Sequence, residues 1–258
     1  MSRPAAALAT HKLLRAFHHN PALPRHTFYF LASVAFSALN RPDEIPRVWR
    51  YALENVAIPG SAEEDYVRRE LAAGGAGKRG EEEEEEGRES ALVIHRKIRE
   101  ALLKSVVICG LPVTINALTA LSTATPPHLH LPSPTSRRAA LASPPHPLLA
   151  RGNALFSTLY GKVTPRVMGS MVHAYDDLGV VAELLYAHVL SNTAVLGARD
   201  TSLLVVAGLV PQDVDPQLRG HVKGAVTNGA TERQVAAVRG LAEECCRVAG
   251  RGVPGAKL

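Results

Sequence analysis

His221 is the side chain best placed for chemistry. It shares a helical stripe with Leu218, Val222 and Ala225, so its imidazole is expected to point inward, and Gly220 and Gly224 would let a second helix approach closely beside it. A buried or half-buried imidazole titrates near or below neutrality, which suits proton transfer. The same pattern describes a core histidine satisfied by a backbone carbonyl, and spacing alone favours that plainer role. Tyr160 and Lys162, His173 and Tyr175, and Tyr186 and His188 precede it on amphipathic stretches. They are candidates to line a cavity with His221, or else to mark the edge of the core. His128, His130 and His146 have no carboxylate or cysteine beside them, so no metal and no other cofactor is expected. Cys109, Cys245 and Cys246 form neither a CxxC pair nor a zinc spacing. An odd count with two members adjacent reads as buried thiols in a reducing compartment.

The elements that must position these groups read as helices, with no period-2 stretch that makes a strand, and the expected fold class is all-α. Residues 1–26 read as a helical or loose arm. An apolar helix follows from Thr27 to Leu39, then Pro42 and Pro46 punctuate the turn into a helix that carries Ile45, Val48, Trp49, Ala52 and Val56 on one side. The stretch from 72 to 89 is a Gly/Glu insertion with too little apolar surface to offset ordering entropy. A strong helix with Ile94, Ile98, Ala101, Leu102 and Ile108 in register is expected to end at Gly110, and Pro112 opens another through Leu121. Residues 123–152 form a Pro-, Ser- and His-rich linker. Beyond it, helices are expected from Tyr160 to Tyr175, Val180 to Leu190 and Ser202 to Val210. Asp215 is then expected as an N-cap before Pro216, and Thr231 with Gln234 makes a capping-box pattern for the last helix. The expected organisation is an arm (1–26), a first helical module (27–122), the linker, a second module (153–250) and a tail (251–258).

The net charge of +5 understates the basicity of most of the chain, because six of its 24 acids form the single run Glu81 to Glu86. Ala101 to Tyr175 has no acid, but its Lys and Arg are sparse and not interleaved with aromatics. That argues against a nucleic-acid partner and fits a small anion at least as well. No apolar run spans a bilayer as a helix, so no membrane span is expected. The chain ends in Ala256-Lys257-Leu258, a close variant of the Ser-Lys-Leu signal read by the peroxisomal import receptor, with Pro254-Gly255 before it. The expected compartment is the peroxisome. The acid-free stretch before Asp43, with Arg3, Lys12, Arg15 and Arg25, keeps a mitochondrial presequence as the alternative, and the cytoplasm as another.

Two stretches look like copies of one unit. Leu39-Asn40-Arg41-Pro42-Asp43-Glu44-Ile45-Pro46 runs into Val48-Trp49-Arg50-Tyr51, and Leu203-Leu204-Val205-Val206-Ala207 runs on to Pro216-Gln217-Leu218-Arg219-Gly220-His221 and Asn228-Gly229-Ala230-Thr231. The second stretch, with Leu159-Tyr160-Gly161-Lys162 ahead of it, resembles the carboxymuconolactone decarboxylase family, which includes alkyl-hydroperoxidase D-like proteins. Glu100-Ala101-Leu102-Leu103-Lys104 through Gly110-Leu111-Pro112 to Asn116-Ala117-Leu118 is similar to that family's closing segment. The resemblance covers most of 27–121 and 155–250 and implies two tandem modules packed as one unit, assembling as a homo-oligomer.

The family's thiol branch places a CxxC pair four residues before a histidine matched by His221, and a glutamate one helix earlier. Here Val214 and Gln217 stand at the cysteine positions and Ser202 at the glutamate position. Without a thiolate, peroxidase chemistry through that pair is excluded. What the resemblance then implies is a lyase acting on a small organic acid or lactone, with His221 as general acid/base. His188, Tyr186, His173 and Tyr160 would be substrate-side donors, and Arg219 would hold a carboxylate. The first copy has Tyr51 where His221 stands and would serve packing. The alternatives are a non-catalytic helical oligomerisation or binding module, and thiol-dependent peroxidase-like activity through Cys245 and Cys246.

Overall fold

The structure is a computed structural model, and it describes residues 6–58, 88–130, 137 and 145–252. The Glu81–Glu86 run and the terminal Ala256, Lys257 and Leu258 lie outside these residues. The protein is all-α. Among the described residues the one β feature is an isolated bridge, Ala57 to Glu89.

Two helices form the centre: α2 (Phe28–Ala38, after α1, His11–His18) and α10 (Ala198–Leu209). Every residue of α2 is buried, as are Thr201 to Leu209 of α10. Helices apolar all round must be enclosed, and α2 is surrounded by α4 (Ala91–Lys104, after α3, Ile45–Asn55), by α10 and by α12 (Glu232–Val248). Of the hydroxyls in α2, Ser33 Oγ donates to Tyr29 O at 2.7 Å and Tyr29 Oη donates to Glu89, while Ser37 Oγ is buried without a partner. Each large side chain sealed there contributes roughly 1.5–3 kcal/mol of transfer free energy.

Among the described residues, each central helix is followed by the same series of elements. A 3-10 turn containing a proline follows (Pro42–Glu44; Val210–Gln212), then an amphipathic helix with proline in its first turn (α3; α11, Asp215–Thr227). Next is a helix capped by a hydroxyl: Ser90 accepts from Val93 N ahead of α4, and Thr231 and Gln234 form the full capping box of α12. Beside each turn lies one non-glycine residue in the left-handed region, Asn40 ahead of the first and Asp213 after the second, each at φ 53°. Asn and Asp tolerate it because their short polar side chains offset the strain.

Several boundaries differ from the sequence reading. The arm is part of the core: Leu13, Leu14 and Phe17 of α1 are buried, and the buried Glu44 carboxylate accepts from Leu8 N (3.1 Å) and Ala9 N (2.9 Å). The strong fourth helix breaks at Ser105, followed by α5 (Val106–Cys109) and α6 (Leu111–Ala124). The helix expected from Tyr160 is in fact ending there. α7 runs from His146 to Tyr160, into residues read as linker, a 3-10 turn spans Gly161–Val163, and α8 is Thr164–Ala174. Asp215 is the first helical residue of α11 and not its cap, a position held by Val214. The predicted Val180–Leu190 helix is α9 (Asp176–Leu185) closed by a π-helical turn, Tyr186–Leu190. Among the described residues no helix is long and apolar enough to cross a membrane.

Candidate functional site

The π-helical turn, the C-terminal end of α7 and α11 converge to make the site. Two glycines set the spacing. A Cβ on Gly224 of α11 would meet Leu159 Cδ2 at 2.6 Å and Leu159 O at 3.1 Å. A Cβ on Gly152 of α7 would meet the Cα and N of Ala187 at 2.6 Å, which is backbone and cannot step aside. These contacts bring α7 against α11 on one side and the π-helical turn on the other. Gly152→Ala is therefore expected to push the π-helical turn off α7 and cost about 3 kcal/mol, read as a lower urea midpoint with unchanged slope. A midpoint equal to wild type would show that this contact gives way freely.

The result is a ring cluster. Phe156 lies 4.6 Å from Tyr160 and 4.8 Å from Tyr186 between ring centroids, and Tyr160 stands edge-on to His221 at 6.0 Å. Tyr160 Oη is 3.3 Å from His221 Nε2 and 3.5 Å from Tyr186 Oη. Three polar groups thus form a short chain in an apolar setting. Burial pushes the His221 imidazole down from its ordinary 6.5 to about 4, so the ring is neutral at pH 7. Burial first, then the Tyr160 hydroxyl, raises Tyr186 far above the usual phenol range, so it stays a protonated donor. The remaining ring nitrogen, His221 Nδ1, is buried without a partner. With Nε2 accepting from Tyr160, that nitrogen carries the ring proton and presents a neutral N–H donor.

Of the residues singled out in the sequence, His221, Tyr160 and Tyr186 come together. The other candidates do not join them. Arg219 is exposed on the outer face of α11 and paired with Asp215 at 3.0 Å, so it holds no carboxylate beside the imidazole. His173 is exposed in the last turn of α8, and Lys162 is exposed in the 3-10 turn. His188 sits on the π-helical turn, where its carbonyl accepts from Arg137 Nε at 2.8 Å. Sequence reading found nothing to orient the imidazole, and the structure assigns that part to Tyr160. Ser202, at the vacant glutamate position, instead accepts from Asn228 Nδ2 at 2.8 Å. In the first half, Tyr51 is buried between His11 and Phe28, at 5.1 and 5.8 Å between centroids.

The cysteines offer little to redox chemistry. All three are free, and burial raises each thiol, Cys109 to about 11 and Cys245 well beyond its ordinary value. A thiol held protonated is a poor nucleophile.

Sequence reading passed over the buried charges. Lys104 is fully buried, and its Nζ donates to Leu190 O (3.1 Å), Leu196 O (3.4 Å) and Thr201 Oγ1 (2.6 Å). Arg137 donates to both oxygens of Glu100 and to the carbonyls of His188 and Val189. Both cations therefore fix the π-helical turn that carries Tyr186. Lys104 was detectable: it lies on the same stripe as Ala101 and Ile108, where a surface lysine has no place.

Over 228 residues the chain is 37% identical to peroxisomal protein 2 of Schizosaccharomyces pombe, an alignment that covers 88% of each protein. To peroxisomal protein 2 of Saccharomyces cerevisiae it is 31% identical over 267 residues, covering 91% of this chain and 92% of that protein. No family model and no solved structure matches it. The protein is peroxisomal, the compartment expected from its last three residues. At this identity over nearly the whole length, the chain belongs to the peroxisomal protein 2 family.

Proposed function

We propose that this protein is a carboxymuconolactone decarboxylase-like lyase, acting on a small organic acid or lactone by proton transfer through His221. The observation that carries the reading is the buried, partnerless Nδ1 of His221 on a ring whose other nitrogen is held by Tyr160. A buried polar atom without a partner is costly, and a substrate oxygen at that position would supply the partner. Loss of carbon dioxide next to a carbonyl leaves an enolate. The neutral Nδ1–H donor stabilises its oxygen and passes its proton to carbon as Nε2 takes the proton of the Tyr160 hydroxyl, and the phenolate left on Tyr160 regains a proton from solvent before the next turnover. Tyr186 keeps Tyr160 aligned. No thiol takes part.

The matching element series supports two tandem modules, 27–122 and 153–250. In each half an aromatic or imidazole ring from the preceding chain meets the matched position: His18 stands perpendicular to Tyr51 at 6.0 Å, and Tyr160 meets His221. Ala256-Lys257-Leu258 would be the address read by the import receptor.

A turnover screen over small carboxylic acids and lactones tests the reading. His221→Ala is expected to lower kcat by roughly 10²–10⁴, and Tyr160→Phe by a smaller factor in the same direction, with both variants folded. Turnover that is indifferent to both substitutions would sink it. A second reading has its own support: Val172, Tyr175, Leu178, Val181 and Leu184 on α8, α9 and the turn between them expose large apolar side chains, between 41% and 65% accessible. Such a surface suits a homo-oligomeric or binding module, and that reading takes over if no acid or lactone is turned over.

A further inference from the structure

Among the described residues, seven of the eleven exposed large apolar side chains lie between Val163 and Leu184, on the hairpin of α8 and α9. Within those two helices only Gly179 is buried. A Cβ there would meet Val172 Cγ2 at 2.6 Å, so the two helices close tightly on each other. The hairpin they make rests on α7 and the π-helical turn. A surface helix normally turns its apolar stripe inward and its polar residues out. α9 also keeps an apolar stripe outward: at about 100° per residue, Val180, Leu184 and Val181 share roughly 100° of arc, and all three are exposed.

Charge is sorted along the hairpin. Between Gly161 and Leu185 the basic side chains, Lys162 and Arg166, are exposed at its base. Asp176 and Asp177 are exposed at its tip, where Asp177 accepts from Tyr175 Oη at 2.8 Å and His173 stands nearby. Glu183, half-buried toward the base of α9, is the remaining acid of the segment. The base is thus net positive and the tip negative. A second copy turned end for end sets each base against an acidic tip, whereas a copy laid parallel sets like charge against like. Self-complementarity of this kind is what a two-fold contact requires. An anionic lipid surface would instead meet the two aspartates.

We propose that the outer face of this hairpin pairs with the same face of a second copy of the chain, antiparallel about a two-fold axis, with Val180, Val181 and Leu184 at the centre of the contact and the charged ends at its rim. This names the partner of the exposed surface, so it rests on the oligomeric reading and not on the lyase reading. Apolar centres of this kind distinguish homodimer faces from ordinary surface. The contact lies directly behind α7 and the π-helical turn, the elements that carry Tyr160 and Tyr186, so pairing buttresses both.

Sedimentation equilibrium of the full chain tests this. Wild type is expected at twice the chain mass of 27.5 kDa. Val181→Glu with Leu184→Glu should weaken pairing by about 100-fold or more, with helical circular dichroism unchanged because both side chains are exposed in the single chain. Arg166→Glu in one chain, and Asp176→Lys with Asp177→Lys in another, should each weaken it about tenfold. An equimolar mixture of those two proteins should form a mixed dimer about as tight as wild type, since every base then meets a tip of opposite charge. His221→Ala should stay dimeric, which separates this contact from the lyase reading. Should the double glutamate variant lose helicity, the charge mixture decides alone. Wild type that is monomeric at about 100 μM, whether free or floating with phosphatidylcholine–phosphatidylserine vesicles, would overturn the proposal. So would a particle larger than a dimer, a dimer that persists in the folded double glutamate variant, or a mixture no tighter than its components.

Discussion

Between pH 6.5 and pH 4 the folded protein is expected to lose on the order of 6 kcal/mol through two histidines alone, His95 and His221. Both are pushed from 6.5 to about 4. His221 is lowered by burial, and His95 by burial first and then by the positive charge of Arg99, His130 and Arg96. In the unfolded chain each takes up its proton near pH 6.5, whereas the folded chain refuses it until about pH 4. The unfolded state therefore binds more protons throughout that window, and stability falls as the pH is lowered. Each such shift is worth about 3 kcal/mol, against a total of roughly 5–15 kcal/mol for a typical domain. Urea unfolding at a series of pH values should show the decline, and His95→Gln with His221→Gln together should flatten it. Parallel wild-type and variant profiles would mean that one or both imidazoles charge freely in the folded state.

Lys104→Met is expected to cost about 4 kcal/mol at pH 7. Methionine fills most of the volume, so the loss is polar: two carbonyls and the Thr201 hydroxyl lose a buried donor, at about 1–3 kcal/mol for each group left unsatisfied. Partial relief comes from no longer burying an ammonium. Burial is the leading reason its amine falls from 10.5 to about 8, ahead of the opposing pull of Glu100. A lysine that releases its proton early in the folded state makes stability rise with pH between about 8 and 10.4. Wild type should show that rise in urea midpoints and Lys104→Met should not. A variant as stable as wild type at pH 7 would show that water replaces the ammonium. Because Leu190 ends the π-helical turn, loosening should spread to Tyr186, visible as faster amide exchange there than in α2.

Much of the helical architecture was legible because it rests on local rules. The mostly apolar run at 28–38, the proline-opened helices and the Thr231–Gln234 capping box are fixed by periodicity and by end groups within a few residues. The boundary at 145–160 was misjudged because proline and histidine there look like linker, yet Pro147 sits in the first turn of α7, where its missing N–H costs nothing. The compartment was legible because a peroxisomal targeting tripeptide, where one is present, is recognised as sequence and needs no fold. Arg219 was chosen for its charge and lies on the outer face, since position on a helix, not residue type, decides what a side chain meets.

By itself, the sequence determined the helical class, the inward face of His221, the small residues that admit a neighbour beside it, and the absence of a thiol pair where the resembling family places one. Only the tertiary structure decided that Tyr160, and not a carboxylate, holds the imidazole, and that Tyr186 backs Tyr160. It alone showed that Lys104, Glu100 and Arg137 lock the turn between them. Those pairings span 26 to 97 residues of chain. No local propensity encodes them. They exist because two buried helices pack against each other and leave the polar groups around them no water to turn to, so each must find the partner that packing provides.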